Sequence, residues 1–315
     1  MYVLKEYDTT LSFEIIIFVY SIFSILLNLL VLYVVNIKST QEKTVDVYLI
    51  TWIAAFDILV ALSLDITQIA KWSLSITSIE FEESVYCSLS SVVFNGTAII
   101  AIALTAQLSI VRYLTIVKSY SISNVKSNLV SLLIASSIMA IFIINKVRGI
   151  SRLMPSGLLC IVITKSNNSL ERTIYATVMF TIIFPIVFCI PIFYGLISIY
   201  YYKSNQRFKE QSGSLRKRVA FYKSKHVAFL ALFTALYICS LLPEFIVLMI
   251  QVIIKYERSY MMDYVLLFLL FSETVLNPLF VITLHPDSRR KIVSLFKGER
   301  DEYNYYQTAT RFQYP

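Results

Sequence analysis

C-S-L-S-S-V-V-F-N-G-T-A-I-I-A-I-A-L-T-A-Q-L-S-I-V-R-Y, residues 87–113, is an apolar run that begins with a cysteine and ends in an arginine-tyrosine pair. Cys87 and Arg112 are 25 residues apart. At ~1.5 Å per helical residue this is roughly 37 Å, more than the ~30 Å hydrocarbon thickness of a bilayer. We therefore predict a membrane-spanning helix with a thiol at one membrane face and a fixed cation at the other.

The composition of the whole chain is that of a polytopic membrane protein. Of its 315 residues, 57% are hydrophobic and 15% are charged, whereas soluble domains contain about 25% charged residues. So apolar a chain could not cover its own surface with polar groups in water. With two histidines and four cysteines, it offers few metal ligands and too few thiols for a disulfide scaffold. No constellation of nucleophile, base or metal ligands indicates an enzyme.

Seven apolar runs are each long enough to cross a bilayer. They are predicted at residues 11–36, 46–70, 85–117, 128–145, 173–202, 226–252 and 262–284. Residues 285–297 place apolar and basic side chains on opposite faces, which indicates an amphipathic helix in the cytoplasmic interface. We expect residues 1–10 to form an extracellular N-terminus, 11–284 the membrane domain and 298–315 a cytoplasmic tail. The predicted fold class is an all-α seven-transmembrane helix bundle with a short eighth helix.

The basic residues indicate the orientation of the chain. With the N-terminus outside, 19 of the 28 Lys and Arg residues lie on the cytoplasmic side, and the third inner loop supplies most of this bias. The sequon at Asn167 then falls in the second outer loop, where it can be glycosylated. The net charge of +8 is explained by basic residues beside the spans, so we expect contact with membrane lipid and no binding of nucleic acid. We predict a multi-pass plasma-membrane protein.

Polar residues inside the spans indicate which class of membrane protein this is. The first span contains Asn28 in L-L-N-L-L-V-L, the second Asp57 in A-A-F-D-I-L-V-A-L, and the seventh Asn277-Pro278 in E-T-V-L-N-P-L-F-V. Together with Arg112-Tyr113, this ordered set resembles the rhodopsin-like (class A) family of G protein-coupled receptors over nearly the whole chain. The resemblance implies a receptor that binds an extracellular ligand in the outer half of the bundle and activates a heterotrimeric G protein.

Several positions depart from the family pattern. Val111 stands in place of the acidic residue before the arginine, Leu241 replaces the aromatic residue of the sixth span, and Val281 replaces the tyrosine of Asn-Pro-x-x-Tyr. The chain therefore resembles a divergent member, and a receptor-like protein that binds ligand without G-protein coupling is an alternative. A seven-span ion transporter or channel with Asp57 and Glu273 in its path is a further alternative, although no internal repeat supports it.

The resemblance also assigns a switch at the inner side. Arg112 with Tyr113 would dock the G protein; the alternative is an arginine that reaches the lipid headgroups. Because Val111 and the basic residues Lys223 and Lys225 supply no acid, we expect Arg112 to lack a counter-charge. We therefore expect raised basal activity, which Val111→Asp should lower. Pro243 and Pro278 stand where the family bends its helices and are expected to be hinges.

A polar cluster is expected at mid-membrane, where the family holds a sodium ion. Its members would be Asn28, Asp57, Glu273 and Asn277. Glu273 lies one helical turn before Asn277, which would place two acids in one dry space, so we expect them to share a proton or a cation. Ala101 replaces the serine usual in that site. We expect no metal other than sodium.

At the outer side, the resemblance implies a disulfide between Cys87 and Cys160 that holds the second outer loop over the bundle. The ligand pocket would be lined by Asp65, Gln68, Phe94, Asn95, Glu244, Leu248, Phe268 and Phe271. Phe94 stands where amine receptors keep an aspartate and Phe271 where opsins keep the retinal lysine. We therefore expect neither monoamine recognition nor a retinal cofactor.

Glu244 follows the hinge Pro243 directly and is the most suggestive acid of this pocket. Two interpretations stay open for it. It attracts a cationic ligand, or it pairs with Arg148 or Arg152 from the second outer loop.

Overall fold

The computed structural model describes residues 2–36, 44–74, 84–147, 151–154, 156–162, 181, 183–210, 214–254, 258–284 and 292. This part of the chain forms the helices α1 (Tyr2–Asn36), α2 (Val45–Leu74), α3 (Val85–Val117), α4 (Asn124–Val147), α5 (Phe184–Glu210), α6 (Ser214–Ile254) and α7 (Tyr260–Leu284). Each contains an apolar stretch long enough to cross a membrane. The predicted bundle of seven spans is thereby confirmed.

Two short strands were not predicted. β1 (Ser151–Leu153) and β2 (Cys160–Val162) form an antiparallel hairpin between α4 and α5. Strands of three residues are too short to show the alternation of apolar and polar residues by which a strand is recognised in a sequence.

The predicted ends of several helices differ from the structure. α1 begins at Tyr2, so residues 2–10 continue the first helix. α6 begins at Ser214, well before residue 226, because the Arg- and Lys-rich inner loop favours helix. The predicted start of the fifth span at residue 173 and the glycosylation sequon at Asn167 lie outside the described residues. So does the amphipathic helix 285–297, apart from Ile292.

α3 is the central helix of the bundle. It contacts α2, α4, α5 and β2, and most of its side chains are buried. Three apolar clusters surround it. The inner cluster contains Val31, Leu49, Ile53, Leu104 and Val111; the outer cluster contains Ile17, Leu64, Phe94, Leu158 and Tyr264; the third joins α3 to α5 and α6 through Ile102, Ile190, Tyr194, Leu241 and Phe245.

α3 approaches α4 closely at Gly96. A Cβ atom at this position would lie 3.1 Å from Sδ of Met139. At Gly195 on α5, by contrast, a Cβ atom would meet no atom within 4 Å. The absence of a side chain at Gly96 therefore sets the distance between two spans.

Gly96→Leu is expected to lower the free energy of unfolding by about 1–3 kcal/mol, the usual cost of overpacking a close contact. Thermal unfolding of the purified protein in detergent measures this loss. Gly195→Leu is the matched control and is expected to be neutral or slightly stabilising, since leucine favours helix and meets no neighbour there. Equal losses in the two variants would contradict the close-contact explanation.

Candidate functional site

The side of the bundle that the sequence analysis assigns to the outside is closed by the hairpin of β1 and β2, which we call the second outer loop. Cys87, in the first turn of α3, forms a disulfide with Cys160 of β2, and both residues are fully buried. The predicted bridge is confirmed. It fixes the hairpin to the central helix.

The turn of the hairpin forms a plug, which we define as Met154 together with residues 156–160. The amide of Met154 donates to the carbonyl oxygen of Leu159 at 2.9 Å, and that of Gly157 donates to the carbonyl oxygen of Met154 at 2.8 Å. Gly157 has φ +68°, a left-handed conformation that glycine adopts without steric cost. Met154, Leu158 and Leu159 are buried in the outer cluster, against side chains of α1, α2, α3 and α7.

Four residues predicted to line the ligand pocket lie against this plug. Phe94 and Phe271 belong to the same apolar cluster as Leu158 and Leu159. Nε2 of Gln68 donates to the carbonyl oxygen of Leu158 at 3.5 Å, and Nδ2 of Asn95 donates to that of Cys160 at 3.3 Å. The side chains expected to face a ligand thus face the protein's own loop.

The other predicted pocket residues are dispersed. The Asp65 carboxylate accepts a hydrogen bond from Ser21, and Leu248 packs against the cluster that joins α3, α5 and α6. Phe268 lies apart from the apolar cluster that holds the plug. Its side chain is 39% exposed, with its ring centroid 5.2 Å from that of Tyr20 on α1.

Glu244 has a partner that the sequence analysis did not consider. NH2 of Arg258, in the third outer loop, lies 2.8 Å from Oε1 of Glu244, and NH1 lies 3.0 Å from Oε2. NH1 also lies 3.2 Å from Oδ1 of Asp263 on α7, and Nε donates to Gln251 at 2.7 Å. Glu244 therefore forms a bidentate pair with a fully buried Arg258. The side chains of Arg148 and Arg152, whose pairing with Glu244 was one of the two interpretations left open, lie outside the described part of the chain.

The plug is held at two further points. Oδ2 of Asp263 accepts from the amide of Ser156 at 3.0 Å, and the hydroxyl of Tyr264 donates to the carbonyl oxygen of Ser156 at 3.2 Å. On the opposite side, Nζ of Lys71 donates to the carbonyl oxygen of Gly157 at 3.2 Å and pairs with Glu14 of α1. α1, α2 and α7 are thus joined through the loop.

A second group of polar contacts lies at mid-membrane. Nδ2 of Asn277 donates to Oδ2 of Asp57 at 2.9 Å. The Tyr237 hydroxyl lies 3.1 Å from Oδ1 of Asn277 and also contacts Glu273. The structure therefore brings Asp57, Glu273 and Asn277 together, with Tyr237 of α6 as an unpredicted member. Asn28 instead links α1 to α7 by donating to the carbonyl oxygen of Thr274 at 2.9 Å.

The Tyr237 hydroxyl has one proton and two neighbouring acceptors. If it donates to Asn277, the contact with Glu273 is a hydrogen bond only when Glu273 carries a proton.

The residues present also offer oxygen ligands for the sodium ion of the family. Oδ1 of Asp57 and Oδ1 of Asn28 are buried and have no hydrogen-bond partner, and such oxygens suit a hard cation. Ala101 contributes no side-chain oxygen, and Glu273 is engaged with Tyr237. Among the described residues, no group of three or more His, Cys, Asp or Glu side chains is placed to hold a metal ion.

Arg112 forms the centre of a third group at the inner end of the bundle. Its Nε lies 3.0 Å from Oδ2 of Asp46, in the first turn of α2. NH1 donates to the Tyr194 hydroxyl at 3.3 Å, and Cζ lies 5.3 Å from the ring centroid of Phe280. These contacts join α3 to α2, α5 and α7.

The expectation that Arg112 lacks a counter-charge is wrong, because Asp46 supplies it from another helix. Val111 points elsewhere: it is buried in the inner cluster with residues of α1, α2 and α4. Val111→Asp would therefore place a carboxylate in an apolar core and not beside Arg112. The ring of Tyr113 packs against that of Phe193, with centroids 5.3 Å apart. The side chains of Lys223 and Lys225 lie outside the described part of the chain.

A cavity separates the mid-membrane and inner groups. Its volume is about 530 Å³ including its open side, and its lining includes Asn28, Tyr194, Tyr237, Asn277, Phe280 and Val281. Pro278 of α7 also contributes to the wall. The walls of the cavity include α6 and α7, which contain the two predicted hinges, Pro243 and Pro278.

Comparisons with known proteins agree with this architecture. The family model described as 7 transmembrane receptor (rhodopsin family) matches residues 27–280. The crystal structure of squid rhodopsin superimposes with a TM-score of 0.68 at 16% identity, over 94% of this chain and 89% of that one. No curated protein sequence matches significantly.

The structural likeness establishes the fold, and the family match covers most of the chain. The matched family is one of membrane receptors, not of enzymes. The chain belongs to the rhodopsin family of seven-transmembrane receptors.

Proposed function

We propose that this protein is a G protein-coupled receptor of the plasma membrane, with its N-terminus outside. It would bind a ligand in the outer half of the bundle and activate a heterotrimeric G protein at the cytoplasmic face. The observation that carries this proposal is the buried Arg112, held at the inner end of α3 by Asp46 and Tyr194 from two other helices. A cation so costly to bury is retained for function more often than for structure.

The route from the outer site to Arg112 would run through α6. Glu244 and Tyr237 lie on opposite sides of Pro243 in this helix, and each is tied to α7, by Arg258 with Asp263 and by Glu273 with Asn277. A ligand that binds differently to two arrangements of these contacts shifts their populations. The inner end of α6 would then move and uncover Arg112.

The ligand is not retinal in this proposal. α7 carries no lysine, and Phe271 stands where a retinal lysine would be. We therefore assign no cofactor to the receptor.

A second candidate is a receptor-like protein that binds a ligand without activating a G protein. The observation that favours it is the apolar packing of Leu241 and Val281, which replace the family's switch aromatics and are both buried. The experiment below distinguishes the two candidates.

Asp46→Asn is expected to raise ligand-independent nucleotide exchange roughly fivefold, the population shift produced by losing a partly exposed ion pair that contributes about 1 kcal/mol. Exchange is measured in membranes across a panel of G proteins. Asp46→Glu, which keeps the charge, is the matched control and should stay near the wild type.

Adding Arg112→Ala to Asp46→Asn is expected to return exchange to background, because the freed cation would be the group that engages the G protein. If Asp46→Asn, shown to reach the surface, activates no G protein, the non-coupling candidate is favoured. An increase that persists without Arg112 would show that another group engages the G protein.

Tyr237→Phe is expected to destabilise the protein by about 1–3 kcal/mol, because it removes the hydroxyl that contacts the buried Glu273 and Asn277. Replacing both members in Tyr237→Phe/Glu273→Leu should recover part of this loss, since the two apolar groups need no hydrogen bond to each other. Thermal unfolding in detergent tests both variants. Strictly additive losses would show that the two side chains do not interact.

The proposed orientation predicts that Asn167 carries a glycan. Asn167→Gln should remove a glycosidase-sensitive mass shift in protein from eukaryotic cells, while Asn95→Gln should leave it unchanged, because Asn95 lies within α3 and bonds Ser91 and Cys160. A glycan that survives Asn167→Gln would contradict this assignment.

A further inference from the structure

The plug fills the space between α2, α3 and α7 with apolar side chains of its own. Leu158 and Leu159 are 1% and 2% exposed and pack in one cluster with Val60, Phe94 and Phe271, which belong to three different helices. Met154 is equally buried in the same cluster. The plug therefore occupies the place between the helices where a ligand would contact them.

The plug makes polar contacts of the kind that a bound peptide makes. The carbonyl oxygens of Ser156, Gly157 and Leu158 accept from Tyr264, Lys71 and Gln68. The amide of Ser156 donates to Asp263. Backbone groups are thus recognised by side chains of α2 and α7, while two leucines fill the apolar space.

One buried acceptor in the site has no partner. Oε1 of Gln68 lacks a hydrogen bond, although the residue is fully buried. Since Nε2 of Gln68 already donates to Leu158, the amide offers both a donor and an acceptor, the pair that recognises a peptide group. The plug uses only the donor.

We propose that the plug is the built-in occupant of the outer ligand site, and that an external ligand of this receptor is an apolar, peptide-like molecule that displaces it. Such a ligand would place an apolar side chain where Leu158 lies and pair one peptide group with both atoms of the Gln68 amide. The proposal rests on the proposed outer ligand site but does not depend on G-protein coupling.

Cysteine accessibility tests the occupancy. Phe271→Cys is introduced together with Cys189→Ser and Cys239→Ser, and cells are treated from outside with a charged methanethiosulfonate reagent. With the plug intact, we expect reaction at least about tenfold slower than for Met261→Cys, which lies at the exposed outer end of α7. Trimming the plug with Leu158→Ala and Leu159→Ala should accelerate the reaction by a similar factor, whereas Leu158→Met and Leu159→Met, which conserve volume, should not.

A capped synthetic peptide of the sequence Met-Pro-Ser-Gly-Leu-Leu tests the ligand class. Added to the trimmed variant, it should slow modification of Phe271→Cys again, and a scrambled peptide should not. An intact Cys87–Cys160 bridge and normal surface level establish that the trimmed protein is folded. If it does not fold, Tyr264→Phe, which removes only the bond to Ser156 and that to Tyr260, should still accelerate the reaction severalfold.

Fast modification of Phe271→Cys beneath the intact plug would contradict the proposal that the plug occupies the ligand site. If trimming the plug exposes Phe271→Cys but the peptide does not slow its modification, the proposal of a peptide-like ligand is contradicted. Because no G protein takes part in the assay, neither result can be confused with a failure to couple.

Discussion

Charge is costly inside a bilayer, and this constraint determines how the helices of the bundle are joined. Arg258, Lys71 and Arg112 are each paired with a carboxylate from a different helix or from outside their own loop. A hydrocarbon surface gives helices no hydrophobic reason to choose one neighbour over another. The ion pairs and the polar contacts of Asp57 with Asn277 therefore specify which helices meet and at what height.

The number of spans and the disulfide could be predicted from the sequence because the bilayer itself restricts them. A span must be long and apolar, and Cys87, at the start of the third run, lies on the same predicted side as Cys160, whereas Cys189 and Cys239 lie inside spans. The resemblance to the receptor family then implied the pairing of Cys87 with Cys160. The predicted cluster of Asp57, Glu273 and Asn277 followed from the resemblance to the receptor family, and the structure brings these three side chains together.

The partners across helices could not be predicted. Asp46 and Arg112, or Glu244 and Arg258, meet only at particular rotations of the helices about their axes. In a soluble protein, an apolar stripe in the sequence of a helix indicates which face is buried. A helix surrounded by lipid is apolar on nearly all sides, so its sequence does not indicate the buried face. Tyr237 was missed for this reason, since in an apolar span a tyrosine resembles one more aromatic residue.

The divergence from the family pattern is compensated at Arg112. With Val111 in place of the neighbouring acid, the restraint on the arginine comes from Asp46 on α2, so the pair now spans two helices. The distance between Asp46 and Arg112 changes when α2 and α3 move relative to each other. The distance between two adjacent residues of one helix does not. Loss of a conserved-looking motif residue therefore does not imply loss of its electrostatic role.

α6 continues without interruption from Ile254 back to Ser214. Residues 214–243 of this helix have a length of about 43 Å at 1.5 Å per residue, so the part on the inner side of Pro243 is a long rigid lever. A tilt of only about 10° at the proline would displace its tip by about 7 Å, more than one helical turn. A change of a few tenths of an ångström around Glu244, which is adjacent to Pro243, would thereby become a displacement of several ångströms at Ser214, the size of movement that the proposed coupling requires.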